Sequence, residues 1–495
     1  MSGLIHIHKL LFPIFLISIF FMFSSKFLVA FILYAVTILG TILTLCLENR
    51  THYATIMWIY ILIFLPFLGY MIYLFSGQLE TKGILFKQKR TDLKDYFNEL
   101  RKKEEEPDYS YYDDAVYQFI QLANKISISH VSSKSNATIL TNGEITFDTI
   151  FQSIDQAKEY IYVEFYIFRT DELGKYFLEK LIEKAKEGVE VYLLIDSIGS
   201  WGFSRKWFNY LQKNRVHVQF FSPVKIAFLN YTMNFRNHRK IVVVDGIVGY
   251  IGGLNVGNEY ISKTKRDIYW RDTHMKVEGE AVETLAHLFS LDWSYSKGKQ
   301  LVIPPFKEQP NFQNGGVQVI ASGPDTKKEL IADLYFNLLI TAKKSIWIAS
   351  PYFIPNETIR TSLKIASLKG IEVKLLLPKK NDGFLTQFAS QSYFSELLQY
   401  GVEIYLYNKG FLHQKVVIID GLIASLGTAN VDMRSFHLNF EANVFLYQNT
   451  AIRKLTEDFI HDLEDSEKVS PVLYYKRDFL TKCKESFARL FSGYL

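Results

Sequence analysis

The chain has 495 residues, a formal net charge of +5 at pH 7, and 48% hydrophobic residues, with aromatic residues alone making up 16%. This length exceeds one ordinary domain and allows two sizeable cores. Nucleic-acid-binding proteins usually carry a large excess of positive charge, and the net charge of this chain is small, so we expect no nucleic-acid partner. Its two cysteines, Cys46 and Cys483, argue against a disulfide framework and suit a reduced, cytosol-facing body.

The first part of the chain, 1–78, is predicted to form transmembrane helices. Two uncharged apolar runs, 27–47 and 56–75, each match the roughly 20 residues that cross a bilayer. A third apolar stretch, 4–23, contains Pro13, and it predicts either a further span or an interfacial segment.

Basic residues indicate the orientation of these spans. Lys82, Lys87, Lys89 and Arg90 follow the last apolar run with no acid among them. Since positive charges favour the cytoplasmic side, we expect a multi-pass protein whose body faces the cytoplasm. Residues 79–135 are mixed in charge and predict a juxtamembrane linker.

From residue 136 the sequence predicts alternating helices and strands, which is typical of a layered α/β fold. In a first lobe, 136–300, we predict helices at 145–158 and 173–186 and strands at 160–168, 189–195 and 216–221. A linker with several prolines, 301–316, leads to a second lobe, 317–475. There we predict helices at 328–343 and 357–369 and strands at 345–353 and 371–377.

One motif occurs in both lobes with regular offsets. It is His-x-Lys-x-x-x-x-Asp, completed by a glycine and an asparagine further along. The first copy consists of His238, Lys240, Asp245, Gly252 and Asn255. The second copy consists of His413, Lys415, Asp420, Gly427 and Asn430. A lone His-x-Lys at a strand end is usually a solvated edge, but two matched copies predict two equivalent half-sites.

These residue types suit a phosphodiester. The apolar run after each His predicts a buried strand, so His and Lys, two residues apart, share one face. One imidazole could attack phosphorus while the other serves as acid and then base, and the lysines and asparagines could hold the phosphate oxygens. We expect no metal ion and no cofactor. Asp245 and Asp420 stand before glycines at strand ends, and we interpret them as holding the motif together more than doing chemistry.

The paired motifs resemble those of the phospholipase D superfamily, and nearly the whole chain is similar to bacterial cardiolipin synthases. Further matches are Glu48-Asn49-Arg50, Trp270-Arg271-Asp272, Ser350-Pro351-Tyr352-Phe353-Ile354-Pro355 and the stretch 484–492. The resemblance implies N-terminal transmembrane helices followed by two duplicated lobes, each a mixed sheet flanked by helices.

The resemblance also implies an activity. Two phosphatidylglycerol molecules would be joined reversibly into cardiolipin, with release of glycerol, through a phosphohistidine. It favours His238 as the nucleophile and His413 as the acid and base, although the half-sites look alike. Asp272 and Glu441 match the acids that orient the catalytic histidines, and the alternative is that each is an ordinary ion-pair partner. Glu164 is a weaker candidate for lining the pocket.

The final segment, 476–495, is basic and amphipathic. It suits a helix on an anionic membrane surface and suits docking on the body equally well. Three other functions stay open. They are a phospholipase D that hydrolyses lipids or transfers to another alcohol, a nuclease, which the apolar N-terminus disfavours, and a non-catalytic membrane scaffold.

Overall fold

The computed structural model describes most of the chain. The described residues are 11–19, 27–47, 52–65, 68–73, 89, 91–92, 95, 109–127, 129–221, 234–263, 268–297, 301, 303–304, 312, 314–326 and 329–495. They form two compact units, one made mostly of the N-terminal residues up to 88 and the other of residues from 89 onward.

The N-terminal unit is helical. It contains a helical stretch at 11–19, then α1 (Phe27–Leu47), α2 (His52–Phe64) and α3 (Leu68–Ile72). Within the described residues, α1 alone is long and apolar enough to cross a membrane. Its buried Thr37 and Thr41 hydroxyls donate to the carbonyls of Leu33 and Thr37, so these polar groups are satisfied inside the helix.

The span at 56–75 stays a prediction, and the described part of this apolar run comprises two helices. The apolar segment is divided between α2, which ends at Phe64, and the short α3, which begins at Leu68. Pro66 follows α2 in the sequence, and a proline disfavours helical conformation in the residue before it. Of the third apolar stretch, 4–23, residues 11–19 form a helix, and the remainder lies outside the described residues.

The prediction of a juxtamembrane linker at 79–135 is wrong for its last part. Residues 114–127 form α4 (Asp114–Ser127), an amphipathic helix whose apolar side is buried. Val116, Phe119 and Ile120 pack into the core of the second lobe, and the ring of Phe119 lies 5.9 Å from that of Phe445. The apolar spacing at 116, 119, 120 and 123 signals this helix, although the surrounding charges hide it.

The first lobe is a seven-stranded mixed sheet flanked by helices. Its elements are β1 (Ser135–Thr141), α5 (Gly143–Gln156), β2 (Tyr160–Phe165), α6 (Glu172–Lys186), β3 (Glu190–Asp196), α7 (Arg205–Lys213), β4 (His217–Phe221), β5 (Ile241–Val244), β6 (Val248–Gly252), β7 (Tyr269–Arg271), β8 (Thr273–Gly279) and α8 (Ala281–Lys297). The strand order is β1-β8-β6-β5-β2-β3-β4, and β7 lies outside this sheet. Because β2 and β5 are buried on both faces, both are almost continuously apolar.

The second lobe repeats the plan around an eight-stranded sheet. Its elements are β9 (Gly316–Ser322), α9 (Leu330–Thr341), β10 (Ser345–Ala349), β11 (Phe353–Ile354), α10 (Glu357–Leu368), β12 (Glu372–Pro378), α11 (Phe384–Gln391), α12 (Phe394–Gln399), β13 (Glu403–Tyr407), β14 (Gly410–Leu412), β15 (Val416–Ile419), β16 (Ile423–Gly427), β17 (Val431–Asp432), α13 (Met433–His437), β18 (Glu441–Tyr447), α14 (Ala451–Glu464), β19 (Ser466–Lys468), α15 (Pro471–Tyr475) and α16 (Phe479–Arg489). The sheet order is β19-β13-β12-β10-β15-β16-β18-β9.

The two sheets share one strand order, apart from the additional β19 at the edge of the second sheet. The order β8-β6-β5-β2-β3-β4 in the first lobe matches β18-β16-β15-β10-β12-β13 in the second. In both lobes the strand after the motif histidine, β5 or β15, lies antiparallel to the neighbouring central strand, β2 or β10. A duplicated mixed α/β architecture is therefore present, as the repeated motif predicts.

Backbone pairing also joins the lobes to each other. The strand β7 of the first lobe pairs in parallel with β14 of the second, from Tyr269 and Gly410 to Arg271 and Leu412. At the other motif, Asn237 forms a bridge with Phe440. Both pairings lie immediately beside a motif histidine, so the docking of the lobes determines the geometry of the site.

Candidate active site

The histidine of the first lobe is held by the second lobe. His238 lies just before β5, and its backbone N–H donates to the Phe440 carbonyl at 2.9 Å. The ring Nδ1 lies 3.0 Å from each carboxylate oxygen of Glu441, the first residue of β18. Since an ionised carboxylate accepts hydrogen bonds, Nδ1 carries the proton and Nε2 keeps its lone pair.

The histidine of the second lobe is held by the first in the same way. The His413 N–H donates to the Arg271 carbonyl at 2.7 Å, and its Nδ1 lies 2.7 Å from Asp272 Oδ2. Each lobe thus supplies one histidine and the acid that orients the other lobe's histidine. This reciprocal arrangement gives two similarly oriented imidazoles in one buried site.

Burial sets the protonation states of both histidines. Burial, aided by the nearby lysines and opposed by the acids, lowers the pKa of His238 to about 4 and that of His413 to about 3. Burial alone would raise the pKa of Glu441 and Asp272, but the histidines and lysines bring both below the usual carboxyl range. At neutral pH the site therefore holds neutral imidazoles beside ionised carboxylates.

The two motif lysines are buried beside their histidines. Lys240 Nζ donates to the His238 carbonyl at 2.6 Å, and Lys415 Nζ lies 2.9 Å from His413 Nδ1. Burial lowers the pKa of Lys240 to about 7 and that of Lys415 to about 8. A bound anion would favour the charged form of both ammonium groups, so the site is suited to an anionic ligand.

The asparagines of the motif make local contacts. Asn255 Oδ1 accepts from the Ile167 N–H at 3.1 Å, and its Nδ2 donates to the Tyr260 hydroxyl at 3.3 Å. Asn430 Nδ2 donates to Asp432 Oδ2 at 3.0 Å, while its buried Oδ1 has no hydrogen-bond partner within the described structure. Both asparagines stabilise the turns after β6 and β16, and their contact with a phosphate stays a prediction.

The motif aspartates lie at the far end of β5 and β15 from the histidines. The Asp245 carboxylate accepts the backbone N–H groups of residues 158, 159 and 160 at 2.7 to 2.9 Å. The Asp420 carboxylate accepts those of residues 343, 344 and 345 at 2.7 to 2.8 Å. Both aspartates have positive φ, 54° and 55°. Each carboxylate ties the motif turn to the start of the neighbouring central strand, and neither contacts a motif histidine.

The position after the motif glycine differs between the lobes for a visible reason. A Cβ at Gly253 would lie 2.1 Å from Asp272 Oδ1, so the glycine leaves room for the orienting carboxylate. At the matching position of the second lobe, the Thr428 hydroxyl donates to Glu441 Oε2 at 2.5 Å. Asp272 therefore occupies the space that the absent side chain of Gly253 leaves, whereas Glu441 is held by the hydroxyl of Thr428.

Two aromatic rings lie next to the histidines, and the sequence alone did not predict them as site residues. Tyr166 follows β2, and its ring lies 5.0 Å from that of His238. Trp270 lies in β7, and its ring lies 5.1 Å from that of His413. Trp270 directly precedes the Arg271-Asp272 pair, so its place beside the second orienting acid was the available signal.

Glu164 lies behind the His238 loop. It is fully buried in β2, and its carboxylate accepts a hydrogen bond from the Asn237 amide. Burial and the neighbouring Asp292 raise the pKa of Glu164 well above the usual carboxyl range. Among the described residues, no group of three or more His, Cys, Asp or Glu side chains is arranged to hold a metal ion.

Fold and site together define the class. Two α/β lobes, each with a His-x-Lys strand, form one site through reciprocal contacts, as in phospholipase D-like proteins. The family model described as "Cardiolipin synthase, PLD-like domain" matches residues 150–293 and 335–463, and "Phospholipase_D-nuclease N-terminal" matches residues 29–78.

Curated relatives narrow the class. The chain is 49% identical to a probable cardiolipin synthase of Bacillus subtilis over 93% of each chain. It is 45% identical to a cardiolipin synthase of Geobacillus sp., covering 91% of this chain and 90% of that one. The chain belongs to the cardiolipin synthase family of phospholipase D-like enzymes, which confirms the resemblance, and it is a membrane-associated phosphatidyltransferase.

A solved structure supports the fold at lower identity. The phosphatidylserine synthase of Haemophilus influenzae superposes with a TM-score of 0.60 at 17% identity, covering 77% of this chain and all of that chain. At this identity the likeness shows the shared fold alone.

Proposed function

We propose that the chain joins two phosphatidylglycerol molecules into cardiolipin and releases glycerol. The observation that carries this proposal is the reciprocal pairing of His238 with Glu441 and of His413 with Asp272 at 2.7 to 3.0 Å. Each acid fixes Nδ1 as the protonated nitrogen and leaves Nε2 for chemistry. Two such imidazoles match the needs of a double displacement at phosphorus, in which one attacks and the other moves protons.

In the first step, His238 Nε2 attacks the phosphorus of one phosphatidylglycerol. An N–P bond forms, the P–O bond to the glycerol headgroup breaks, and His413 gives the leaving oxygen a proton. A bound phosphodiester anion would join Asp272 in favouring protonation of His413, and both oppose the burial that lowers the pKa of this ring. Lys240 and Lys415 stabilise the charge that develops on the non-bridging oxygens, aided by Asn255 and Asn430.

In the second step, the headgroup hydroxyl of another phosphatidylglycerol attacks the phosphohistidine. Its proton passes to His413, a new P–O bond forms, and the P–N bond breaks to regenerate His238. One phosphodiester replaces another, so the overall transfer is close to energetically balanced and runs in both directions. Holding both lipids in one bilayer raises the effective concentration of the acceptor headgroup.

We propose further that the N-terminal unit crosses the membrane more than once, with the body in the bacterial cytoplasm. Support comes from the apolar run shared by α2 and α3, next to the span-length α1, and from the basic residues that follow. Labelling of a cysteine at Lys82→Cys from the outside of intact cells would contradict this orientation.

The experiment that tests the function is reconstitution in phosphatidylglycerol vesicles without added metal, following lipids and free glycerol together. Cardiolipin with one glycerol per molecule is expected. Phosphatidic acid would instead indicate a phospholipase D that hydrolyses lipids. Transfer to another added alcohol would indicate a broader transferase. Folded protein without any turnover would favour a non-catalytic membrane scaffold. His238→Asn and His413→Asn should each lower turnover about 10³-fold or more, while His461→Asn on the exposed side of α14 should not.

A substrate with a good leaving group distinguishes the two histidines. With a nitrophenyl phosphatidyl ester, departure of the leaving group needs no acid, so His413→Asn should still form an acid-labile phosphoenzyme. His238→Asn should form none. The opposite pattern would exchange the roles of the two histidines without changing the scheme.

A further inference from the structure

The C-terminal segment is held firmly against the second lobe by one of its faces. In α16, Glu485 and Ala488 are buried, and Ala488 packs with Ile354, Ala389 and Tyr393 of the lobe. The Arg477 guanidinium donates to both oxygens of Glu485, and Asp478 caps the helix by accepting from the Thr481 N–H at 2.9 Å. The segment is therefore a fixed part of the body rather than a loose tail.

The opposite face of α16 is apolar and exposed. Leu480, Phe487 and Leu490 are 69%, 56% and 73% exposed, and with the exposed Cys483 they recur at helical spacing as one stripe. Phe479 at the start of the helix is 78% exposed, and the preceding α15 adds exposed Val472 and Leu473. A contiguous apolar surface of this kind marks an interaction site in a folded protein.

The charges around this stripe are predominantly positive. Lys476, Lys482, Lys484 and Arg489 are exposed. Of the acids in the same segment, Glu485 is buried in its ion pair with Arg477, and Asp478 is engaged in capping. An apolar stripe bordered by lysine and arginine side chains complements an anionic lipid surface, because the apolar groups enter the acyl boundary while the cations meet the headgroups.

We infer that α15 and α16 form a membrane-docking surface that lies on an anionic bilayer with the Leu480–Leu490 stripe in the acyl boundary. The inference is linked to the proposed function at one point, because the anionic lipids that this surface prefers would also be the substrates. A second copy of the chain would also cover an apolar stripe, but the basic rim would then face its own like charges.

The end of this surface reaches the site region of the second lobe. The Leu495 carbonyl accepts a hydrogen bond from the backbone N–H of Arg434. Arg434 lies in the first turn of α13, the helix that Asp432 caps. Asp432 in turn accepts from the Asn430 amide. Docking of the segment therefore holds the wall that carries the second motif asparagine close to the lipid surface that supplies the headgroups.

The test uses the full chain, in which Cys46→Ser leaves Cys483 as the one cysteine. An environment-sensitive fluorophore on Cys483 is followed in vesicles whose lipids carry spin labels on their acyl chains. We expect quenching in phosphatidylglycerol vesicles and much less in phosphatidylcholine vesicles. The double variant Leu480→Ser/Leu490→Ser should lose the quenching, whereas Leu368→Ser, an equally exposed leucine of α10, should keep it.

Three results would overturn the inference. The first is a probe that stays unquenched in anionic vesicles, the second is equal quenching in both lipids, and the third is shielding without quenching together with a doubled mass in detergent. The measurement needs no turnover and can be made on His238→Asn. In the chain that keeps both motif histidines, normal quenching without cardiolipin synthesis would contradict the proposed function alone, and synthesis without quenching would contradict the docking surface alone.

Discussion

At the scale of single residues, the site depends on which atom of each imidazole carries a proton. Glu441 and Asp272 each hold a histidine of the other lobe by Nδ1, and both acids are completely buried. Because the ring environments lower the histidine pKa values to about 4 and 3, the carboxylates act mainly by fixing the tautomer rather than by keeping the rings charged.

Replacing an orienting acid by its amide should therefore reduce turnover more than binding. We expect Glu441→Gln and Asp272→Asn each to lower kcat by about 10²- to 10⁴-fold, with a smaller change in KM. Kinetics in phosphatidylglycerol vesicles, together with ¹⁵N spectra of the two imidazoles, would show the shift of the proton from Nδ1 to Nε2. Glu467→Gln in an exposed ion pair is the control, and unchanged kcat in both site variants would contradict the assigned roles.

The residue types of the site follow from the sequence, but their partners do not. The spacing of the motif places His and Lys on one strand face without any knowledge of the fold. Asp272 and Glu441 were found through the family resemblance, and nothing in their local sequence indicates that each serves the histidine of the other lobe. That exchange results from tertiary docking through the Asn237–Phe440 bridge and the β7–β14 pair.

At the scale of elements, the motif aspartates join two strands. Asp245 and Asp420 each satisfy three backbone N–H groups at the start of the neighbouring strand. Both hold positive φ, which aspartate and asparagine tolerate better than most residues. These contacts explain why the turn after each His-x-Lys strand needs an acid although neither carboxylate contacts a motif histidine.

Loss of such a carboxylate should affect stability rather than chemistry. We expect Asp420→Ala to lower the free energy of unfolding by about 1.5–3 kcal/mol, since three partly exposed backbone N–H groups lose a charged acceptor. Asp420→Asn should cost less, because it keeps one carbonyl acceptor and the tolerated backbone conformation. Thermal unfolding in detergent measures the stability, and turnover per folded molecule should stay close to that of the parent. A large loss of turnover in fully folded Asp420→Asn would contradict this interpretation.

Helices and strands with strong hydrophobic periodicity are predicted well from the sequence. Elements whose position depends on contacts with distant parts of the chain are not. The predicted helix at 173–186 and strand at 189–195 lie within one residue of α6 and β3. The strand predicted to extend to 168 ends at Phe165, because the chain turns there toward the site. The helix α4 was mistaken for linker, since its apolar face is covered by a lobe more than 200 residues away in the sequence.

At the scale of the whole molecule, the two lobes meet around a buried charge cluster behind the site. Lys89, which follows the apolar N-terminal part of the sequence, pairs with Asp292 of α8 and lies 3.6 Å from Asp325 of the second lobe. Its Nζ also lies 3.7 Å from the centre of the Phe440 ring, whose carbonyl holds the His238 backbone. Arg239, directly after His238, donates to the other oxygen of Asp292 at 2.5 Å.

The charges of this cluster balance only if Lys89 is present. Burial and Asp292 raise the pKa of Glu164 well above its usual range, which favours its neutral form. Burial would also raise the pKa of Asp292, but Arg239 and Lys89 bring it below the usual range, so Asp292 is ionised. Lys89 and Arg239 then lie beside Asp292 and Asp325. Lys89 comes from a segment that lies outside both predicted lobes.

Removing that cation should weaken the body and disturb the site together. We expect Lys89→Met to lower the free energy of unfolding by about 3–5 kcal/mol, because it leaves a buried carboxylate uncompensated. Lys134→Met in an exposed ion pair should cost less than about 1 kcal/mol. Adding Asp325→Asn to Lys89→Met restores the charge balance and should recover much of the lost stability and turnover, as unfolding and vesicle assays would show. If the double variant were no better than Lys89→Met alone, the cluster would hold the lobes by packing rather than by charge balance.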